Sequence, residues 1–77
     1  MKNLEKSSSF YNEAIRLIDL NDLEGAIELI KKNIYSLKNT SDIALAYLNC
    51  GFLNDNLGDY ISAIEYFSKS ISIEAKL

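Results

Sequence analysis

No histidine occurs in these 77 residues, so general acid–base chemistry would fall to carboxylates. Two pairs stand near one another, Asp19 with Asp22 and Asp55 with Asp59. Both pairs fall at breaks in an apolar-periodic sequence, where a solvated helix end and a cap account for them better than a shared proton does. Cys50 is the single thiol. It has no His beside it and Lys and Arg only at a distance in sequence, the setting of a buried, inert thiol rather than a nucleophile. One thiol and no His exclude an internal disulfide and a Cys/His metal site. No Asp-x-Asp-x-Asp-Gly loop is present to hold calcium. Lys31 and Lys32, with Glu28 at helical spacing, read as an exposed face. The expectation is no catalytic residue, no metal, no cofactor and no enzyme activity.

Charge narrows the partners. Eight Lys and Arg against eleven Asp and Glu give a formal charge of −3. Residues 1–40 carry six of each sign, while residues 41–77 carry two basic and five acidic. Such a surface repels phosphate backbones and offers no basic stripe with interleaved aromatics, so nucleic acid is not an expected partner. Residues 1–6 lead into a serine run without the apolar region of a signal peptide, and no stretch approaches the roughly 18 apolar residues of a membrane span. The expected location is the cytoplasm, with no membrane partner.

The elements that must position any site are helical. There is no Pro, only three Gly, and apolar residues recur at three- and four-residue intervals. Four helices are predicted: about Ser9 to Leu20, with a hydroxyl cap from Ser7, Ser8 or Ser9; from the Asp22 cap to about Leu37; about Asp42 to Leu57; and Tyr60 to about Glu74. Asn21-Asp22 and Gly58-Asp59 mark the breaks, and residues 38–42 read as a polar loop. Tyr60, Ala63, Ile64, Phe67 and Ile71 form one stripe on the fourth helix, as Leu23, Ala26, Ile27, Ile30 and Ile34 do on the second, and both stripes are expected in the core. Gly51, Ala63, Ala14 and Ala26 are small enough for close approach between helix backbones.

The sequence also repeats itself. Sliding the chain by 37 residues sets residues 20–34 over residues 57–71 with seven identities in fifteen positions. The match spans the break as well as the stripe, so the duplicated object is a helix–turn–helix unit.

Tyr47-x-x-Cys50-Gly51, Gly58-Asp59-Tyr60, Ala63-Ile64-Glu65-Tyr66-Phe67 and Lys69 together resemble the tetratricopeptide repeat, a 34-residue pattern with an aromatic, a Leu-Gly pair, then an Ala and an aromatic at fixed offsets. Phe10, Ala14, Leu17, Leu20, Asp22, Ala26, Ile27, Glu28 and Ile30 fill the corresponding places in the first copy. The resemblance implies an all-α fold of two antiparallel helix–turn–helix repeats, a four-helix fragment of a right-handed α-solenoid. Repeat one covers 7–40, a loop 41–43 and repeat two 44–77, after a disordered or frayed segment 1–6. Departures are Glu13 and Cys50 where the family has Leu, Asn54 where it has an aromatic, Ser70 for Ala and Ala75 for Pro. Acyl carrier proteins share the length, acidity and helix count, but their Asp-Ser-Leu attachment site is absent.

Function is expected from an apolar excess. On the third helix Tyr47, Cys50, Gly51 and Leu57 cover one side and Leu45, Leu48 and Phe52 another, so it should be covered on more than one side. The first helix of each unit lines a concave groove in this family. The resemblance therefore implies a hydrophobic groove floor of Tyr11, Ile15, Ile18, Leu45, Leu48 and Phe52. Tyr11, Ile15, Leu48 and Phe52 occupy places where members that clamp a carboxylate carry Lys and Asn, so an apolar peptide or amphipathic helix is the expected guest of a scaffold or adaptor. The alternative is a homodimeric helical bundle that uses the groove face for self-association. Two units without a polar cap leave Tyr66 and Ile73 as further self-association candidates, or imply a longer array. Met1 favours a genuine start.

Overall fold

The computed structural model describes residues 10–76. They form four α-helices, α1 (Phe10–Asp19), α2 (Leu23–Asn33), α3 (Thr40–Asn56) and α4 (Tyr60–Glu74), with a 3₁₀ turn at Ile34–Ser36 after α2. The chain is all-α, and no strand occurs among the described residues. The serine cap and the segment 1–6 lie outside those residues.

Each hairpin is closed by the same chemistry, 37 residues apart. Asn21 and Gly58 take positive φ, 62° and 83°, which turns the backbone out of the helix. The amide of Asp22 then donates to the carbonyl of Leu17 at 2.8 Å, and that of Asp59 to Asn54 at 2.9 Å. Asn21 donates to Ile18 and Gly58 to Asp55 at 2.9 and 3.0 Å. These paired bonds satisfy carbonyls that a helix end otherwise leaves orphaned. The same two aspartates open the next helix: a carboxylate oxygen of Asp22 accepts from the Gly25 amide, and one of Asp59 from the Ser62 amide. Two residues thus end one helix and start another.

The link between hairpins differs from expectation. Residues 41–43, expected in a loop, belong to the first turn of α3. The Asn39 side chain accepts from the amides of Ser41 and Asp42 and starts the helix at Thr40. An Asn ranks with Asp as a cap, so the earliest suitable side chain in the polar run sets the boundary. α2 correspondingly ends at Asn33 and tightens into the 3₁₀ turn before Leu37 becomes extended.

Helix α2 packs on α1, and α3 is covered on two sides, by α2 and α4. The core joins Ala14, Ala26, Ile27, Ile30, Ile34 and Leu37 to Ala46, Cys50 and Leu53 of α3. The stripe expected on α2 is buried, apart from half-buried Leu23. The equivalent stripe on α4 is not. Ala63 is buried and Phe67 half-buried, but Tyr60, Ile64 and Ile71 are exposed. The reason is the neighbour. Helix α2 is covered by α1 and α3, whereas α4 packs on α3 alone and no described helix lies on its other face.

Gly51 and Ala63 are both buried, but the space at Gly51 holds a ring. A Cβ placed on Gly51 would lie 2.5 Å from Cε1 of Phe67.

Candidate functional site

Of the carboxylate pairs, Asp22 and Asp59 are the helix caps just described, and Asp19 and Asp55 are exposed beside them. Cys50 is fully buried against Ala46, Leu53 and Ile30. Burial pushes its thiol up to about 12, with Lys31 acting weakly in the opposite sense, so it stays protonated and unreactive at neutral pH. Lys31 reaches Glu28 at 3.6 Å on an exposed face. Among the described residues no three His, Cys, Asp or Glu side chains gather as metal ligands, and no helix is long and apolar enough to cross a membrane.

The six residues expected to floor one groove are divided by the fold. Tyr11 is completely buried, and the Asn49 side-chain amide donates to its hydroxyl. Burial pushes this phenol up to about 12, against the lowering effect of that hydrogen bond. Tyr11 is thus a core residue joining α1 to α3 and floors no groove. Ile15 and Ile18 are half-buried, and Ile18 packs on the core.

Leu45 and Leu48 do line an open, mostly apolar groove, but α4 supplies its other wall. Ser70, Ile71, Glu74 and Ala75 complete a space of about 490 Å³. The Ser70 hydroxyl donates to the carbonyl of Ala44 at 2.8 Å, so this buried polar group is satisfied within the fold and leaves the groove apolar. Phe52 is about half exposed and meets Phe67 edge-on, with ring centroids 5.2 Å apart.

Tyr66 and Ile73, expected to lack cover, are half-buried. Tyr66 stacks on Tyr47 at 6.1 Å and packs against the core. The Lys69 ammonium sits 5.4 and 5.6 Å from the two ring centroids, a cation held over paired π faces. The exposed face of α4 is instead Tyr60, Ile61, Ile64 and Ile71. Ile61 belonged to neither expected stripe. Its signal was present in the self-match, where Ile61 stands opposite Glu24 and Ser68 opposite Lys31.

The departures from the repeat pattern have local explanations. Asn54, in an aromatic's place, is buried and donates to the Cys50 carbonyl at 2.8 Å. Ser70, in an alanine's place, ties α4 to α3. Glu13 pairs with Arg16 on the surface of α1, and that hydrogen bond holds the Glu13 carboxyl below its usual range.

Residues 43–77 match the family model described as the tetratricopeptide repeat. The α3–α4 hairpin is a tetratricopeptide repeat, and the α1–α2 hairpin reproduces its turn, its capping aspartate and its buried alanine. No curated protein and no solved structure matches the chain. Tetratricopeptide repeats are in general protein–protein interaction modules.

Proposed function

We propose that this chain is a protein-binding module that receives an apolar, amphipathic helix along the groove between α3 and the C-terminal half of α4. The groove walled by Leu45, Leu48, Ile71 and Ala75 carries this reading. It is apolar and open, and Glu74 is the one charge on its rim. A guest helix presenting apolar residues at positions i, i+3, i+4 and i+7 matches such a wall, whereas a charged peptide terminus finds no cation there. The buried, protonated Cys50 supports placing the module in the cytoplasm, as a scaffold or adaptor without chemistry of its own.

Selection from a displayed library of amphipathic peptides tests the assignment. Peptides with that spacing should bind the wild type, and Leu45→Ser with Leu48→Ser should remove binding while helicity by circular dichroism is kept. Binding that survives both substitutions would show that the groove is not the site.

The second reading, self-association through the groove face, loses Tyr11 to the core, and of the separate self-association candidates Tyr66 is stacked on Tyr47. The exposed face of α4 offers self-association a different surface.

A further inference from the structure

The outer face of α4 carries a seam that the first hairpin lacks. Ile61, Ile64, Ser68, Ile71 and Ala75 follow one another at intervals of three and four residues, and all five are exposed, the isoleucines at 77%, 63% and 67%. That spacing keeps side chains on one line facing a partner helix. Thirty-seven residues earlier stand Glu24, Ile27, Lys31, Ile34 and Lys38. There Ile27 and Ile34 are 7% and 5% exposed in the cluster with α3, while the three charged residues stay in solvent. The second copy keeps the two isoleucines and replaces all three charges with uncharged residues.

The fold also argues against stacking one copy head to tail on the next. Helix α1 is the repeat equivalent of α3, so α1 of a following copy would be the helix to cover α4. The α3 residues that cover α2 include Cys50 and Leu53, and their equivalents on α1 are Glu13 and Arg16. These form an exposed ion pair, and pressing it against isoleucines would cost desolvation with nothing in return. An uncharged seam meets no such penalty against itself. We infer that the α4 seam is a two-fold interface at which a second copy of this chain packs its own α4 antiparallel.

Centred near position 66, the crossing sets Ile61 against the other copy's Ile71 and Ile64 against its Ser68, a large residue facing a small one. The two helix dipoles oppose favourably. Tyr60, Ile61, Ile64 and Ile71, with Phe52 beside Phe67, expose apolar area of the same order as the roughly 800 Å² per partner of a standard interface. That is about one-sixth of the chain's 4991 Å² surface. The interaction is isologous and closes at two copies.

This inference deepens the protein-binding reading by naming one partner, and Ile71 and Ala75 belong to both surfaces, so the decisive variants use Ile61 and Ile64. Sedimentation of the full chain from about 1 to 200 µM should show the 8.7 kDa species giving way to one of twice that mass. Ile61→Lys with Ile64→Lys should remain monomeric with unchanged helicity and still bind the peptides selected on the wild type. Mixing Ile61→Cys with Ile71→Cys copies, each also carrying Cys50→Ser, should yield the mixed disulfide. A wild type that stays monomeric, a double variant that still dimerises, or growth beyond two copies overturns the interface. A monomer that nevertheless binds the selected helices would sink the dimer alone, whereas a dimer that binds none would leave the interface standing and remove the groove assignment.

Discussion

The side-chain amide of Asn49 donates to the hydroxyl of Tyr11, 38 residues away, and both groups are buried. The bond ties α1 of one hairpin to α3 of the other. Tyr11→Phe should therefore cost about 1–3 kcal/mol, because a buried amide loses its partner. Pairing it with Asn49→Leu should recover most of that loss, since both polar groups are then gone. Urea unfolding of the two single variants and the double variant measures the coupling.

Alkaline pH should unfold the chain through the same region. Tyr11 and Cys50 are acids that burial pushes up to about 12 in the fold. Above their ordinary values the unfolded chain releases protons that the folded chain keeps. Stability is therefore complete below about pH 9 and falls as pH rises toward 12, by an order of 2–4 kcal/mol at pH 11. Cys50→Ala should remove the earlier part of the decline in urea midpoints taken between pH 8 and 11.

Gly51 leaves its place to the Phe67 ring, whose Cε1 would stand 2.5 Å from an added Cβ. Gly51→Ala should destabilise by roughly 1–3 kcal/mol through overpacking. Phe67→Leu, which vacates the ring's edge, should lessen that cost when the two changes are combined. Thermal unfolding followed by circular dichroism reads both effects.

The two hairpin turns share a positive φ, so removing a glycine from one and introducing a glycine into the other should have opposite effects. Gly58→Ala places a Cβ at φ 83° and should cost about 1–2 kcal/mol, although nothing lies within 4 Å of it. Asn21→Gly, at φ 62°, should be neutral or stabilising by a few tenths of a kcal/mol. Asp22→Ala and Asp59→Ala should each lose about 0.5–2 kcal/mol of capping. Urea midpoints of the four variants check the set.

The turns and caps were legible because their causes are local. Asn21-Asp22 and Gly58-Asp59 carry both the positive φ and the capping carboxylate within two residues. The boundary at Thr40 was missed because several polar side chains between Lys38 and Asp42 could cap, and the cap geometry at Asn39 decided among them.

The apolar faces were harder to read. Ile27 and Ile64 occupy equivalent positions with the same residue, yet one is covered and the other exposed. A duplicated sequence duplicates the helix but not the helix beside it. The resemblance places Tyr11 in a groove because it marks only which positions line one, while the residue that claims the Tyr11 hydroxyl lies on another helix. Leu45 and Leu48 stand on an apolar side of α3 that the sequence shows, but Ile71 and Ala75, which complete their groove, come beside them only once α4 is packed on α3.

Asp22 and Asp59 each complete the end of one helix and begin the next, and this has a mechanical consequence. Neither hairpin has slack in its corner, so each behaves as a stiff plate. The strap between them, where Leu37 and Asn39 run extended, gains no slack either, because Leu37 is buried in the core that joins the two plates. The angle between the plates is therefore set by that shared core together with the Tyr11–Asn49 hydrogen bond, and changing it means repacking side chains rather than bending a helix.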